Sequence, residues 1–298
     1  MEDFLFLSLP DFLAQAIPLG LNFENLVEYT PLQHDLISHF LTIGVSAQAV
    51  GFVYFMATRN RSAPRYQPAS VLSSVVMVSA FLILGWQLIN WTQSFNFNAE
   101  TGLWGVGEQT FSNGFRYLNW SIDVPCLLTQ LLFVLNVTPG RFRNTRNRFI
   151  ITGLLMIYTG YIGQFYQLTS PAAFWIWGII STVFYIYLLF ITANVILKNR
   201  EGLPQRAHKT MGGVWWLILI VWTLYPIAYV VPAVAPTAWG AVVKQFLFTV
   251  ADIFSKVIYG IIITNVAQIR SAEEGYEPAV KVQAQANGGA REREFAER

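Results

Sequence analysis

A single cysteine, Cys126, leaves the chain no internal disulfide and no thiol cluster to hold a metal. Charge is scarce too. The 19 Lys plus Arg and 17 Asp plus Glu make 12% of 298 residues, about half the share of a soluble domain. Hydrophobic residues make 54%, so water cannot be the solvent on all sides, and the sequence reads as an integral membrane protein. There is no nucleic-acid-binding signature. A basic leader is missing as well: the opening MEDFLFLSLPDFLAQAIPLG is acidic where a signal peptide is basic, and Pro10 and Pro18 interrupt its apolar run. Residues 1–32 are therefore expected to form a short amphipathic cap helix.

What is present is a series of apolar runs. Seven segments, at roughly 33–58, 69–94, 111–136, 148–168, 172–197, 212–232 and 239–269, reach the length of about 20 residues that crosses a bilayer as a helix. Their connections alternate in charge. Arg59, Arg61 and Arg65 follow the first run, Arg141, Arg143, Arg146 and Arg148 the third, and Lys198, Arg200, Arg206 and Lys209 the fifth. The other connections carry Glu100 and Glu108 or no charge at all. The positive-inside rule puts the basic loops in the cytoplasm, with the N-terminus outside and the C-terminus inside. Residues 33–270 are thus expected to form an all-α, seven-helix transmembrane domain. Between the second and third runs, FNFNAETGLWGVGEQT alternates apolar and polar residues around a turn containing Gly, which predicts a small extracellular β-hairpin flap. Residues 271–298 are polar and predict a mobile cytoplasmic tail.

Ionisable residues inside these runs are costly, about 2.5–3.5 kcal/mol each at the bilayer centre even on a lenient scale, and they mark pathways or counter-ions. Lys256 lies midway along the last run, with Asp252 four residues before it on the same helical face. An amine held there is placed to form a Schiff base with a carbonyl compound. On the third run, Arg116, Asn119, Asp123 and Gln130 recur at spacings that point all four to one side of a helix. Arg116 and Lys256 balance Asp123 and Asp252, so the interior is neutral in sum. A lone Asn or Gln would read as glue between helices; an Arg, two Asp and a Lys together read as a functional site.

The segments RYLNWSIDVPCLLTQ, WTLYP and DIFSK resemble the microbial rhodopsins, seven-helix proteins that bind all-trans retinal as a protonated Schiff base, and the likeness covers essentially 33–270. Asn119, Asp123 and Gln130 stand where proton-pumping relatives carry Asp, Thr and a carboxylic acid. This Asn-Asp-Gln set is similar to that of the light-driven sodium-pumping rhodopsins, which SSVVMVSAF, TGYIGQFY and SKVIYG also resemble. The resemblance implies that Lys256 carries the retinal, which light isomerises to 13-cis. Trp120, Leu127, Gly160, Gly163, Ser181, Trp222, Tyr225, Pro226 and Ser255 would surround it. It further implies an ion path past Ser70, Ser79, Gln87 and Thr264, and a homo-oligomer, commonly a pentamer, with His39 at the subunit contact, in a prokaryotic plasma membrane. Cys126, beside Pro125, reads as a small apolar filler. There are departures from the subfamily: Ser70 and Thr264 replace Asn and Gly, Gln109 and Gln167 replace acids, and Lys244 replaces an Arg.

Asn119 cannot accept a proton and Gln130 cannot release one, so the usual proton route is blocked at both ends. Asp123 is left to take the Schiff-base proton, removing the charge barrier to Na⁺. The ion would be held transiently near Asn119 and Asp252, with Arg116 between that site and the exit. The expected function is a light-driven outward sodium pump, a transporter rather than an enzyme. The alternatives are a proton pump, above all where Na⁺ is absent, and a photosensory rhodopsin that moves no ion. An inward chloride pump is disfavoured, since the Asp123 carboxylate repels an anion.

Overall fold

The computed structural model describes residues 19–278. Residues 1–18 of the expected cap and 279–298 of the expected tail lie outside the described residues. Seven helices follow one another: α1 (Pro31–Thr58), α2 (Gln67–Ser94), α3 (Gly114–Val134), α4 (Pro139–Phe165), α5 (Pro171–Asn199), α6 (Gln205–Val234) and α7 (Ala238–Glu273). Consecutive helices pack together, and α1 meets α7 to close the bundle. Five helices are long and apolar enough to cross a membrane by composition alone. The other two are α3, which carries the polar line, and α4, which opens with four arginines. Large apolar side chains such as Val50, Leu82, Ile151, Ile179 and Ile220 point outward and are exposed, as suits a bundle whose surroundings are hydrocarbon.

The helix starts follow local chemistry. Thr30 and Gln33 form a reciprocal capping box, with Pro31 at the first helical position. The hydroxyls of Ser170 and Thr237 cap α5 and α7. Two helices begin well before their apolar runs, α4 at Pro139 rather than 148 and α6 at Gln205 rather than 212. Hydropathy marks where a bilayer would be, not where helical hydrogen bonding stops. The basic residues expected in loops, Arg141 to Arg148 and Arg206 to Lys209, are therefore helical.

The predicted hairpin is present, pairing Phe95–Asn98 with Leu103–Val106 in antiparallel register, Phe95 opposite Val106. Gly102 takes the positive φ of 69° in its turn. It is not a loose flap. Tyr29 and Trp104 exchange backbone hydrogen bonds of 2.9 and 2.8 Å, and the Trp104 ring stacks 3.9 Å from His34. A turn of 3₁₀ helix, Phe23–Leu26, plugs the same end, burying Phe23 beneath Tyr29, Trp91, Phe95 and Phe111. Side chains of this size stabilise by roughly 1.5–3 kcal/mol each when fully buried, which fixes the plug to the bundle.

At the opposite, basic end, α7 continues past Arg270, where the tail was expected to begin, to Glu273. The Ser271 hydroxyl accepts from the backbone of Ala63 (2.8 Å), and Glu274 pairs with Arg65. Within α7, residues Ile253–Ile258 form a π-helical turn, a distortion that favours functional sites. It contains Lys256.

Candidate functional site

Four ionisable side chains from α3 and α7 meet at the centre of the bundle, each almost fully buried. Lys256 Nζ donates to Asn119 Oδ1 at 2.5 Å and lies 2.9 Å from Asp123 Oδ2 and 3.0 Å from Asp252 Oδ1. Arg116 pairs with the other oxygen of Asp252 at 2.5 Å. Asp252 also accepts from the Tyr225 hydroxyl (2.9 Å) and Trp120 Nε1 (3.3 Å), so it is a firmly held anion. Asp123 differs: although it lies close to Nζ, neither of its oxygens has a partner at a hydrogen-bonding angle. The Asn119 amide is oriented by donating to Ser79 Oγ at 3.0 Å, which turns its oxygen toward the amine.

From this quartet a polar chain runs to the hairpin end. Arg116 donates to Gln245 (3.2 Å), Gln245 to Asn113 (2.8 Å), and Gln87 to the same Asn113 oxygen (3.3 Å). Asn113 donates to Glu24 at 2.7 Å, and Glu24 pairs with Lys244 at 3.0 Å. The plug thus brings a buried carboxylate into the bundle, where Lys244 of α7 is its counter-ion.

Toward the basic end the path changes character. Ser73 donates to Gln130 at 2.7 Å, and Ser70 lies 3.3 Å from Thr264. On α1, level with Asp252 and Lys256 rather than nearer the basic end, Gln48 is buried with both amide atoms unpartnered. It shares a face of α1 with Gly44 and Gly51, which approach Thr249 and Val257 of α7. Among the described residues, the buried carboxylates are Glu24, Asp123 and Asp252. None of the residues on this basic-end path is an acid.

Beside the quartet lies a cavity walled by α3 to α7, with Lys256 and Asp123 at its polar side. Trp120, Leu127, Gly160, Ser181, Trp222, Tyr225, Pro226 and Ser255 all line it. A Cβ on Gly160 would come within 3.1 Å of Ser181 Oγ, so the missing side chain keeps this wall open. A largely apolar, partly open slot with one amine and an under-bonded carboxylate fits an apolar molecule bearing a single carbonyl.

The family model for bacteriorhodopsin-like proteins matches residues 35–269. The chain belongs to that family. It is therefore an integral membrane protein and a microbial rhodopsin, a light-driven ion pump or photoreceptor, in a family that binds retinal through a lysine Schiff base. It is similar to archaerhodopsin-2 of Halobacterium sp. (strain aus-2), 24% identical over 83% of this chain and 91% of that protein. It is also similar to cruxrhodopsin-3 of Haloarcula vallismortis, 26% identical over 75% and 87%. Among solved structures, a thermophilic rhodopsin superposes with TM-score 0.78 at 25% identity, covering 84% of this chain and 99% of that one. Xanthorhodopsin, described as a light-driven ion pump with dual chromophore, gives TM-score 0.77 at 26% identity and the same coverage.

Within this rhodopsin, most residues expected around the chromophore share the one cavity; Gly163 does not line it. Gly163 sits one turn away, where a Cβ would collide with the Tyr229 hydroxyl and come 2.9 Å from Trp177 Cβ. Its role in the structure is to let α5 pack closely on α4 and to leave room for the Tyr229 hydroxyl. His39 is exposed on the outer face of α1, away from the quartet. Gln109 is exposed, and Gln167 donates to backbone oxygens of Leu21 and Gln164. Cys126 is half-buried and packs against the core. Sequence reasoning missed Glu24, Asn113, Gln245 and Ser73 in the polar chain, the unpartnered Gln48 on α1, and Tyr117, Trp175, Gly178, Thr182 and Tyr229 in the cavity. Trp175, Gly178 and Thr182 recur at helical spacing on α5, a stripe visible in the sequence. Glu24 carries no such signal.

Proposed function

We propose that this rhodopsin is a light-driven pump that exports Na⁺, with retinal attached at Lys256. The observation that carries the reading is the oxygen-lined but acid-free half of the bundle: Ser70, Ser73, Gln130 and Thr264 offer neutral oxygens, and none of them ionises at physiological pH to serve as a proton donor. Such a route suits a small metal cation. Bound retinal would supply light absorption and a change of shape at the Lys256 nitrogen.

The chain's own groups do the rest. An ammonium has three N–H bonds to share among Asn119, Asp123 and Asp252, but a protonated imine nitrogen has one, so attachment forces a choice of partner. Asp252 is occupied by Arg116, Tyr225 and Trp120, and Asn119 cannot take a proton. Asp123, under-bonded and 2.9 Å away, is the acceptor. With the proton on Asp123, the nitrogen no longer presents a positive charge to a cation approaching from the basic end. That charge opposes a cation 4 Å away by about 4 kcal/mol at an effective dielectric of 20. Na⁺ then reaches the oxygens of Asn119 and Asp252, and return of the proton to Lys256 drives it toward Gln245, Asn113 and Glu24. By the positive-inside rule the basic end faces the cytoplasm, so transport runs outward. His39, exposed on α1, is assigned to a contact between subunits, with a pentamer as the proposed assembly.

Proton export when Na⁺ is absent is the second reading, because the Asp123–Lys256 pair moves a proton whichever ion is carried. The test is purified protein in liposomes loaded with a Na⁺-sensitive dye. Illumination should change internal Na⁺ without a protonophore-sensitive pH gradient as its source. A pH change that is indifferent to Na⁺ would favour the proton pump, and no ion movement at all would favour the sensor.

A further inference from the structure

The basic ends of α4 and α5 flank a second, open cavity of about 420 Å³, lined among others by Arg141, Arg148, Lys198, Asn144, Asn194 and Phe190. It shares no residue with the cavity beside Lys256. Three cations converge there, and among the described residues no carboxylate pairs with any of them. Along the chain there is no Asp or Glu between Asp123 and Glu201, and Glu201, three residues past Lys198, forms no ion pair with any of the three. Arg148 donates to the Tyr187 hydroxyl at 2.6 Å. For Arg141 and Lys198 the described residues provide no such acceptor.

Above this mouth the surface turns apolar on both helices. On α5, Lys198, Asn194, Phe190, Ile186 and Val183 follow at three- and four-residue spacing, which puts them on one stripe. Phe190 is 64% exposed and Ile186 60%. On α4 the stripe runs Arg148, Ile151, Leu155, and Ile151 is 60% exposed. A cationic mouth at the end of an outward apolar stripe has the two-part chemistry of a phospholipid.

We propose that this groove binds the phosphate of an anionic phospholipid, whose acyl chains lie along the Phe190 and Ile151 stripe. Guanidinium groups give phosphate oxygens short, charge-assisted hydrogen bonds, and basic pockets between transmembrane helices hold anionic head groups in this way. A free phosphate would gain nothing from the apolar stripe. A zwitterionic head group would bring an ammonium among three cations. The inference is independent of which ion is pumped.

The test is native mass spectrometry of the detergent-solubilised protein titrated with dioleoyl phosphatidylglycerol, dioleoyl phosphatidylcholine or inorganic phosphate. One phosphatidylglycerol should be retained at least tenfold better than phosphatidylcholine. Each cation near the head group contributes about fivefold, so Arg141→Gln with Lys198→Gln should weaken retention tenfold or more while leaving the visible band in place. Arg59→Gln with Arg61→Gln, exposed at the same end but outside the groove, should leave retention unchanged. Equal retention of the two lipids, an undiminished adduct in the groove variant, or the same loss in the control variant would overturn the proposal. So would displacement of phosphatidylglycerol by an equal concentration of inorganic phosphate, which would make the ligand a free anion.

Discussion

Replacing Asp123 by Asn tests the proton step at its acceptor. The change is nearly isosteric, yet it removes one of two carboxylates facing Lys256 Nζ, at 2.9 Å. At that distance and an effective dielectric of 20, the lost attraction is about 6 kcal/mol before any relaxation. Arg116 and Lys256 then face Asp252 alone, leaving one uncompensated positive charge in the bundle. Asp252 remains 3.0 Å from Nζ, so the chromophore should still be held and a visible band should persist, at longer wavelength because positive charge is less confined to the nitrogen. Transport should not survive. An amide cannot take the proton, and positioned acid–base groups contribute roughly 10²–10⁴-fold, so light-driven Na⁺ export should fall at least 100-fold. Flash spectroscopy should also lose the short-wavelength species that reports a deprotonated Lys256 nitrogen. Export at the wild-type rate, with that species intact, would refute the assignment of Asp123 and the gate built on it.

Lys256→Ala should abolish the visible band on adding retinal, read by absorption spectroscopy, and a retained band would place the attachment elsewhere. Gly163→Leu would drive a side chain into the Tyr229 hydroxyl and Trp177, and overpacking of this kind costs about 1–3 kcal/mol. Thermal bleaching should be faster in that variant, with the wavelength of the band little changed. Glu24→Gln should leave Lys244 buried without its counter-ion and cost about 3–5 kcal/mol. Adding Lys244→Met should recover much of that loss in thermal denaturation. If Glu24→Gln is neutral on its own, the plug does not depend on the pair.

The bundle was legible because its signals are redundant. Apolar length, alternating loop charge and a polar line on one face of α3 all point to seven antiparallel helices. The centre of the site was legible for the same reason: Arg116, Asn119, Asp123 and Gln130 repeat at helical spacing, and Asp252 and Lys256 share a face of α7. The helix starts of α4 and α6 were not legible, because Arg141 to Arg148 and Gln205 to Met211 are polar yet helical, and hydropathy measures only polarity. The outer half of the polar chain was hidden for another reason. Glu24 and Asn25 sit in an ordinary surface-like sequence, and they become interior only because Phe23 and Tyr29 dock the segment onto α2, α3 and the hairpin. Contacts spanning 86 or more residues leave no local periodicity to read. The π-turn at Ile253–Ile258 likewise left no mark in composition.

The most direct measurement is the pH of an illuminated suspension of expressing cells, with and without a protonophore, in Na⁺, K⁺ and Cs⁺ salts. Export of Na⁺ makes the cell interior negative and pulls protons in. The account therefore predicts alkalinisation of the medium in NaCl, growing with the protonophore and absent in the other salts. Acidification that the protonophore abolishes, equal in all three salts, would contradict it.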